Sequence, residues 1–536
     1  MSKDNNFLRG AAILGMAGVI VKILGAIYRI PLSNIIKAEG MGYYQTAYPF
    51  YVLLLTISTA GFPVAIAKLV SEKRALGDYR SAYKVFKVAL MGLFFGGILT
   101  SLVVGIGAKT IVNSLGNSNA YYSLIALIPA LFFVPIMSAF RGLFQGRKTM
   151  APTAISQIIE QFFRVITGLA LTVFLLNRGI PVAAGGASFG GSMGAIAGTG
   201  IIFIIYLKQR KEIHKEISLS TINKEYRISR IVKDLLVIAI PITIGAAIAP
   251  IMDTIDAALV LKRLQSINYS ESMANELYGQ LKGMAQTLIN LPQVFSIAIA
   301  MSLVPAISDA FARKNKSEIK DLISSGIRIT LLIGLPCALG LFVLAKPIIA
   351  LLYFNNSPEI IASTGNILIY LSFGVIFLTL VQTLTAMLQG LGRPFIPVKN
   401  LAIGAMVKVI LTYTLTAVPS VNINGAAIST VVAYLIAASL DLIDVVKVTR
   451  IKFDYNKIML KPFLSSLGMA ISARLSYVFL SGLVGEHVST LIAVLVGAIV
   501  YIALLVITGT LTKEDYSLIP KGDKIAKHLE KFRIKK

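Results

Sequence analysis

The sequence predicts an all-α, polytopic integral membrane protein, and three observations carry that expectation. Of its 536 residues 56% are hydrophobic. Apolar runs of about 20 residues recur from end to end, long enough to cross a bilayer as helices. The basic residues follow alternate loops. Fourteen spans are expected, centred roughly on residues 23, 56, 95, 131, 164, 197, 246, 293, 333, 374, 407, 435, 470 and 498. Of the 51 Lys and Arg residues, 38 fall in one set of loops, 6 in the opposite set and 7 within spans. That asymmetry places both termini in the cytoplasm, as an even span count requires. It also gives the net charge of +26 a membrane explanation instead of a nucleic-acid one.

The first span, from Gly10 to about Ile36, is too long for a signal-peptide core and no small-residue cleavage site follows it, so it is expected to be retained. The lone Cys337 excludes a disulfide framework. Trp is absent, and Tyr43, Tyr44, Tyr48 and Tyr51 are expected in an interfacial belt, with the lining of a cavity as the alternative. The glycines of spans 1 and 6, among them Gly185, Gly186, Gly190, Gly191 and Gly194, favour close helix packing over hinges.

An internal duplication organises the chain. Phe144-Gln145-Gly146 through Arg164-Val165-Ile166 matches Leu388-Gln389-Gly390 through Lys408-Val409-Ile410 at a shift of 244. Phe62-Pro63-Val64-Ala65 answers Val304-Pro305-Ala306-Ile307 at a shift of 242. With six spans per copy the repeats run parallel, related by an axis along the membrane normal. The expected divisions are an N-lobe over 1–210 (spans 1–6), a cytoplasmic linker over 211–233 and a C-lobe over 234–450 (spans 7–12). Spans 13 and 14 follow over 451–512, and a basic amphipathic tail over 513–536. In that tail Ile525, Leu529 and Phe532 recur among lysines, the pattern of a helix lying on an anionic leaflet or of a solvated charged tail.

Charges inside spans mark the candidate site. A cation near the bilayer centre costs about 2.5–3.5 kcal/mol on insertion scales, so it is turned toward protein or a watery cavity. Lys22 and Arg29 are seven residues apart, on one face of span 1. Lys22 lies roughly 18 Å from the inner end of its span, and Arg164 and Lys408 come out at a similar depth. Arg164 has Glu160 one turn before it, which leaves an internal salt bridge and a ligand-facing cation both open. A more outward layer holds Arg29 with Asp253 and Asp256, joined by Lys282; these are candidates either for a gate of ion pairs or for static pairing.

Other chemistries lack their residues. No G-x-x-x-x-G-K-[ST] element occurs, so no ATPase of its own is expected. His214, His487 and His528 have no metal-ligand spacing, no nucleophile constellation presents itself, and no cofactor is expected.

The twelve spans in two parallel copies, the Gln-Gly-x-x-x-x-x-Pro element after span 4 with its echo after span 10, and the two added spans resemble the multidrug/oligosaccharidyl-lipid/polysaccharide (MOP) exporter superfamily. The similarity points to its polysaccharide-biosynthesis branch, which includes stage V sporulation protein B and the MurJ lipid II flippases. The strongest local match is Lys22-Ile-Leu-Gly25-Ala-Ile-Tyr-Arg29 through Gly40, which resembles the MurJ first helix with its register at Arg29 offset by about one residue. The resemblance implies a MATE/MurJ-like fold in the bacterial cytoplasmic membrane and a basic central cavity for a lipid-linked pyrophosphate, at Lys22 and Arg29 here. Lys22 stands where Arg is common, so a planar fork becomes a point charge. It further implies alternating-access flipping of an undecaprenyl-linked cell-wall precursor, lipid II first, driven by the membrane potential or an ion gradient. Membrane lipids and peptidoglycan synthases are then the expected partners. A flippase for a teichoic, capsular or spore-wall precursor, a cation-coupled multidrug exporter of the same fold, and a scaffold without transport are the competing expectations. Deep cations outnumber deep carboxylates, which disfavours the exporter of organic cations, and a scaffold gains nothing from charges at midplane.

Overall fold

The computed structural model describes residues 3–220, 226–451, 453–454 and 456–510, with side chains from residue 13. The amphipathic tail expected over 513–536 lies outside the described residues. Among the described residues the protein is helical, with no strand. It forms two compact units, Met1–Gly279 and Gln280–Lys536.

The first unit contains α1 (Lys3–Thr59), α2 (Phe62–Ala75), α3 (Tyr79–Ser114), α4 (Tyr121–Ala126), α5 (Ile128–Gly146), α6 (Ala151–Leu175), α7 (Ile180–Ser218), α8 (Ile228–Gln265) and α9 (Glu271–Tyr278). A π-helical segment, Gly279–Ala285, leads into the second unit. There follow α10 (Gln286–Asn290), α11 (Gln293–Ala312), α12 (Lys316–Val343), α13 (Ala345–Leu352), α14 (Pro358–Ser372), α15 (Gly374–Gly390), α16 (Phe395–Leu415), α17 (Ile423–Thr449), α18 (Lys461–Val484) and α19 (Glu486–Ile507).

Among the described residues, twelve helical stretches are long and apolar enough to cross a membrane, or thirteen when α14 and α15, bent by 43°, count as one span. The expected fourteen is not fixed by this count, because the stretch Ile13–Ala75 enters it as one. At 1.5 Å per residue those 63 residues reach about 95 Å, three times the hydrocarbon thickness. Lys37, with φ 58° and ψ −171°, interrupts the stretch.

The duplication is written in the backbone. Lys148 (φ 62°) joins α5 to α6 as Gly392 (φ 74°) joins α15 to α16, and Gly179 (φ 108°) opens α7 as Asn422 (φ 43°) opens α17. Positive φ is rare outside glycine, so recurrence at shifts of 244 and 243 marks equivalent turns. Asp78 caps α3 by accepting from the Ser81 N–H at 3.0 Å, and Asn315 caps α12 by accepting from Glu318 at 3.3 Å. These caps differ by 237 residues. Gly146 sits against Val70 and Gly390 against Ile307, so Val70 and Ile307 are equivalent, again at 237, while the glycines keep the shift of 244. The match of Pro63 with Pro305 at 242 is therefore corrected: Pro63 lies in the first turn of α2, whereas Pro305 lies inside α11.

The first unit draws in α8 and α9, which the sequence duplication assigns to its second copy. A β-carbon on Gly61 would sit 2.1 Å from the Ala239 carbonyl oxygen, so α2 and α8 meet backbone to backbone. Gly279 presses on Ala38 at 2.0 Å by the same measure. Buried Asn117 donates to Thr46 at 2.9 Å and to Asn275 at 2.6 Å, and Asn275 donates to the Glu39 carbonyl at 2.8 Å. This network ties α9 to the helix that follows the Lys37 break.

At 39 residues, α7 measures about 58 Å, so its charged end projects beyond the apolar core. There Glu216 pairs with Arg74 and Arg147. Burial pushes the Glu216 carboxyl up, but hydrogen bonds from both guanidinium groups outweigh it and hold it below the usual range. A depressed carboxyl contributes stability above its unfolded value of about 4.3, lost as pH falls through the folded value. Thermal unfolding in detergent is expected to lose more stability from pH 6 to pH 3.5 in the wild type than in Glu216→Gln. Equal losses would show that the cluster contributes nothing.

Candidate functional site

Glycine spacing brings α7 onto α6. β-Carbons on Gly190 and Gly194 would lie 2.5 Å from the Arg164 carbonyl oxygen and 2.4 Å from that of Glu160. Small residues four apart allow this approach, and they fix the turn of α6 that carries the site. From the other side α1 packs where Gly25 faces Gln161 and where Tyr28 reaches Gly168. Tyr28 donates to the Ala187 carbonyl at 3.1 Å.

On this frame Arg164 donates from Nη2 to Glu160 Oε1 at 3.1 Å and from Nη1 to the Tyr48 hydroxyl at 3.4 Å. The other oxygen of Glu160 accepts from Arg141 Nη2 at 3.1 Å, and Arg141 Nε donates to Ser156 Oγ at 2.9 Å. One carboxylate is thus shared by two guanidinium groups. The side chains of Arg164 and Glu160 are 17% and 18% exposed, so they are shielded but not sealed. Arg29, half-buried, follows Tyr28 on α1. Lys22 lies two turns earlier on α1 and is exposed. Lys22, Arg29, Arg141 and Arg164 supply four positive charges, and Glu160 supplies one negative charge.

The tyrosines correct a sequence expectation. Tyr43, Tyr44 and Tyr51 are 2%, 5% and 2% exposed, inside the first unit and not in an interfacial belt. Tyr44 stacks on Tyr48 at 5.5 Å, and Tyr48 meets Tyr51 at 5.9 Å. Tyr48, the middle ring of the three, is the one whose hydroxyl accepts from Arg164. Arg141 and Tyr48 were missed because their partners lie 19 and 116 residues away, beyond any helical periodicity.

Lys408 belongs to the second unit. It is the fourteenth residue of α16, as Arg164 is the fourteenth of α6, and it is half-buried. Around it the second copy departs from the first: Asn400, at the position equivalent to Ser156, donates at 2.9 Å to both Asp441 and Asp444. Asp253 and Asp256 lie on α8, the first exposed and the second buried, and Lys282 is buried in the π-helical segment. No group of three or more His, Cys, Asp or Glu among the described residues is arranged to hold a metal ion.

Residues 7–311 match the Polysaccharide biosynthesis protein family, and residues 282–414 match MatE. Among relatives from Bacillus subtilis (strain 168), the uncharacterized membrane protein YabM is 30% identical over 98% of this chain and 96% of its own. Lipid II flippase MurJ is 29% identical over 81% of both chains. Stage V sporulation protein B is 28% identical over 96% of this chain and 98% of its own. A solved structure of lipid II flippase MurJ in an inward closed conformation superposes with a TM-score of 0.67 at 19% identity, covering 92% of this chain and 98% of that one. An inward-facing MATE family transporter of the MOP superfamily gives 0.67 at 14%, covering 84% and 99%. The helical architecture, the duplicated turns and these matches agree: the chain is a multi-pass membrane protein of the polysaccharide biosynthesis protein family, within the MOP exporter superfamily.

Proposed function

We propose that the protein is an alternating-access flippase that carries an undecaprenyl-pyrophosphate-linked cell-wall precursor, lipid II first, from the inner to the outer leaflet. The observation that carries this function is the excess of cations around Glu160 at mid-helix depth. Fixed guanidinium and ammonium groups can replace the water that a pyrophosphate loses, through charge-assisted hydrogen bonds. Lys22, Arg29 and Arg164 take the headgroup in the first unit while the polyprenyl tail stays in lipid, and Lys408 is the corresponding candidate cation of the second unit. Asp253, Asp256 and Lys282 serve as gate or ion-pair groups. Counting Ile13–Ala75 as two crossings separated at Lys37 restores fourteen spans, with both termini in the cytoplasm. An inside-negative potential favours export of a bound anion by about 2.3 kcal/mol per charge per 100 mV, so no ATPase or cofactor is required. Peptidoglycan synthases are the partners that would consume the product.

A second substrate, another lipid-linked glycan of the spore wall or a teichoic type, is favoured by the similarity to stage V sporulation protein B over nearly the whole chain. The match to MatE keeps a multidrug exporter as the third possibility, against which the cationic cluster weighs. Complementation of a bacterium depleted of its own lipid II flippase separates them. Rescue by the wild type and loss with Lys22→Ala and Arg164→Ala are expected at equal membrane abundance. No rescue by an abundant wild type would move the substrate to another undecaprenyl-linked glycan. Rescue by all three would remove these cations from the site.

A further inference from the structure

A cleft of about 920 Å³ opens between α2 and α8 in the first unit, apart from the Arg164 cluster. Its lining includes the basic Lys68, Lys73, Arg227 and Arg230 and the apolar Leu69, Leu76, Val237 and Ile238. The carboxylates in its wall are Glu72, Asp78 and Asp234. Two of these are already engaged: Asp78 caps α3, and Asp234 accepts from the Tyr226 hydroxyl at 2.6 Å and lies 3.9 Å from Arg230. Glu72 is exposed. Lys73 sits over the Tyr226 ring, 4.4 Å from its centroid. Among the described residues, no ion pair ties Lys68, Lys73 or Arg227 to a carboxylate. Four basic side chains face three carboxylates in the lining, so the cleft presents surplus positive charge.

The walls continue as exposed aliphatic side chains. On α8, Arg230, Val237 and Ile244 follow at seven-residue spacing, and Val237 and Ile244 are each 64% exposed. On α2, Val64 precedes Lys68 by one turn and is 47% exposed. From Arg230 to Ile244 is about 21 Å along the helix, enough to track an acyl chain through one leaflet's half of the hydrocarbon core. Both helices grade from cationic to apolar in the same direction. A soluble anion has no use for that gradient, and an anionic phospholipid fits both ends of it.

We propose that this cleft binds an anionic phospholipid from the leaflet on the basic-loop side, with its phosphate among Lys68, Lys73, Arg227 and Arg230 and an acyl chain along Val237 and Ile244. Basic recesses between spans at this depth attract anionic headgroups. Because the chain has no Trp, Val237→Trp places a single fluorophore in the cleft, and Ile499→Trp places one on an exposed face of α19, where Ile499 is 67% exposed. In bilayers, brominated phosphatidylglycerol is expected to associate at Val237→Trp about five-fold more strongly than brominated phosphatidylcholine, the scale of one basic residue's attraction. The preference is expected to vanish with Lys68→Gln/Arg227→Gln and to be absent at Ile499→Trp. Equal quenching by both lipids at Val237→Trp, the same preference at both probes, or a preference that survives the double substitution would overturn the proposal. Native mass spectrometry of the Trp-free protein is a second readout that needs no probe. One phosphatidylglycerol retained by the wild type and lost from Lys68→Gln/Arg227→Gln supports the site, and identical retention overturns it.

Discussion

Arg164→Ala is expected to lower the flipping rate by about 100-fold or more at equal protein abundance. A hydrogen bond to a charged partner contributes about 1.5–3 kcal/mol, and Arg164 has donors left to aim at a phosphate once Glu160 and Tyr48 are served. Arg164→Lys keeps the charge and loses the planar fork, so a smaller loss of about ten-fold is expected. The opposing possibility is that Arg164 merely neutralises Glu160. A double-mutant cycle decides between them. If the arginine serves the carboxylate alone, Glu160→Gln matches Arg164→Ala and the double variant is no worse than either. If it holds substrate, Glu160→Gln stays well above Arg164→Ala, because Arg141 and Arg164 both remain charged.

Gly194→Leu is expected to abolish transport and to lower thermal stability together. Its β-carbon would fall 2.4 Å from the Glu160 carbonyl oxygen, a backbone atom that cannot swing aside, so α6 must move. Overpacking of this kind costs about 1–3 kcal/mol, and a shift of α6 also displaces Arg164, whose chemistry depends on placement to a fraction of an ångström. Gly200→Leu is the matched control on the same helix, since nothing lies within 4 Å of the position its β-carbon would take. Unfolding in detergent should drop by several degrees for Gly194→Leu and stay near wild type for Gly200→Leu. Unchanged stability and transport in both would mean that α6 and α7 are not held at the observed spacing.

Local chemistry was readable from the sequence and long-range placement was not. The α6 pair of Glu160 and Arg164 follows from helical spacing. The equivalence of Arg164 with Lys408 follows from the repeat, and both stand at the same step of their helices. The glycines of α7 announced close packing, and their contacts with the α6 backbone give that packing its partner. What failed were inferences about burial. A tyrosine near a span's end reads the same whether it faces lipid or protein, so Tyr43, Tyr44 and Tyr51 were misassigned. Arg141 reaches Glu160 from another helix, 19 residues away, so no helical spacing links the two. The Pro63 and Pro305 alignment failed because a shared proline carries less positional information than a shared helix cap, which fixes the register there at 237. Contacts made by α8 and α9 come from packing, which a repeat in the sequence does not encode.

The most direct test is flipping of fluorescent lipid II in proteoliposomes, read as the fraction protected from a membrane-impermeant quencher. Wild-type protein is expected to move labelled lipid II between leaflets at a rate that rises with protein density. Lys22→Ala and Arg164→Ala should fall to the rate of protein-free vesicles. Absence of flipping by well-folded wild-type protein, with or without an inside-negative potential, would contradict lipid II as the substrate. Flipping at the wild-type rate by both variants would contradict the cationic cluster as its site.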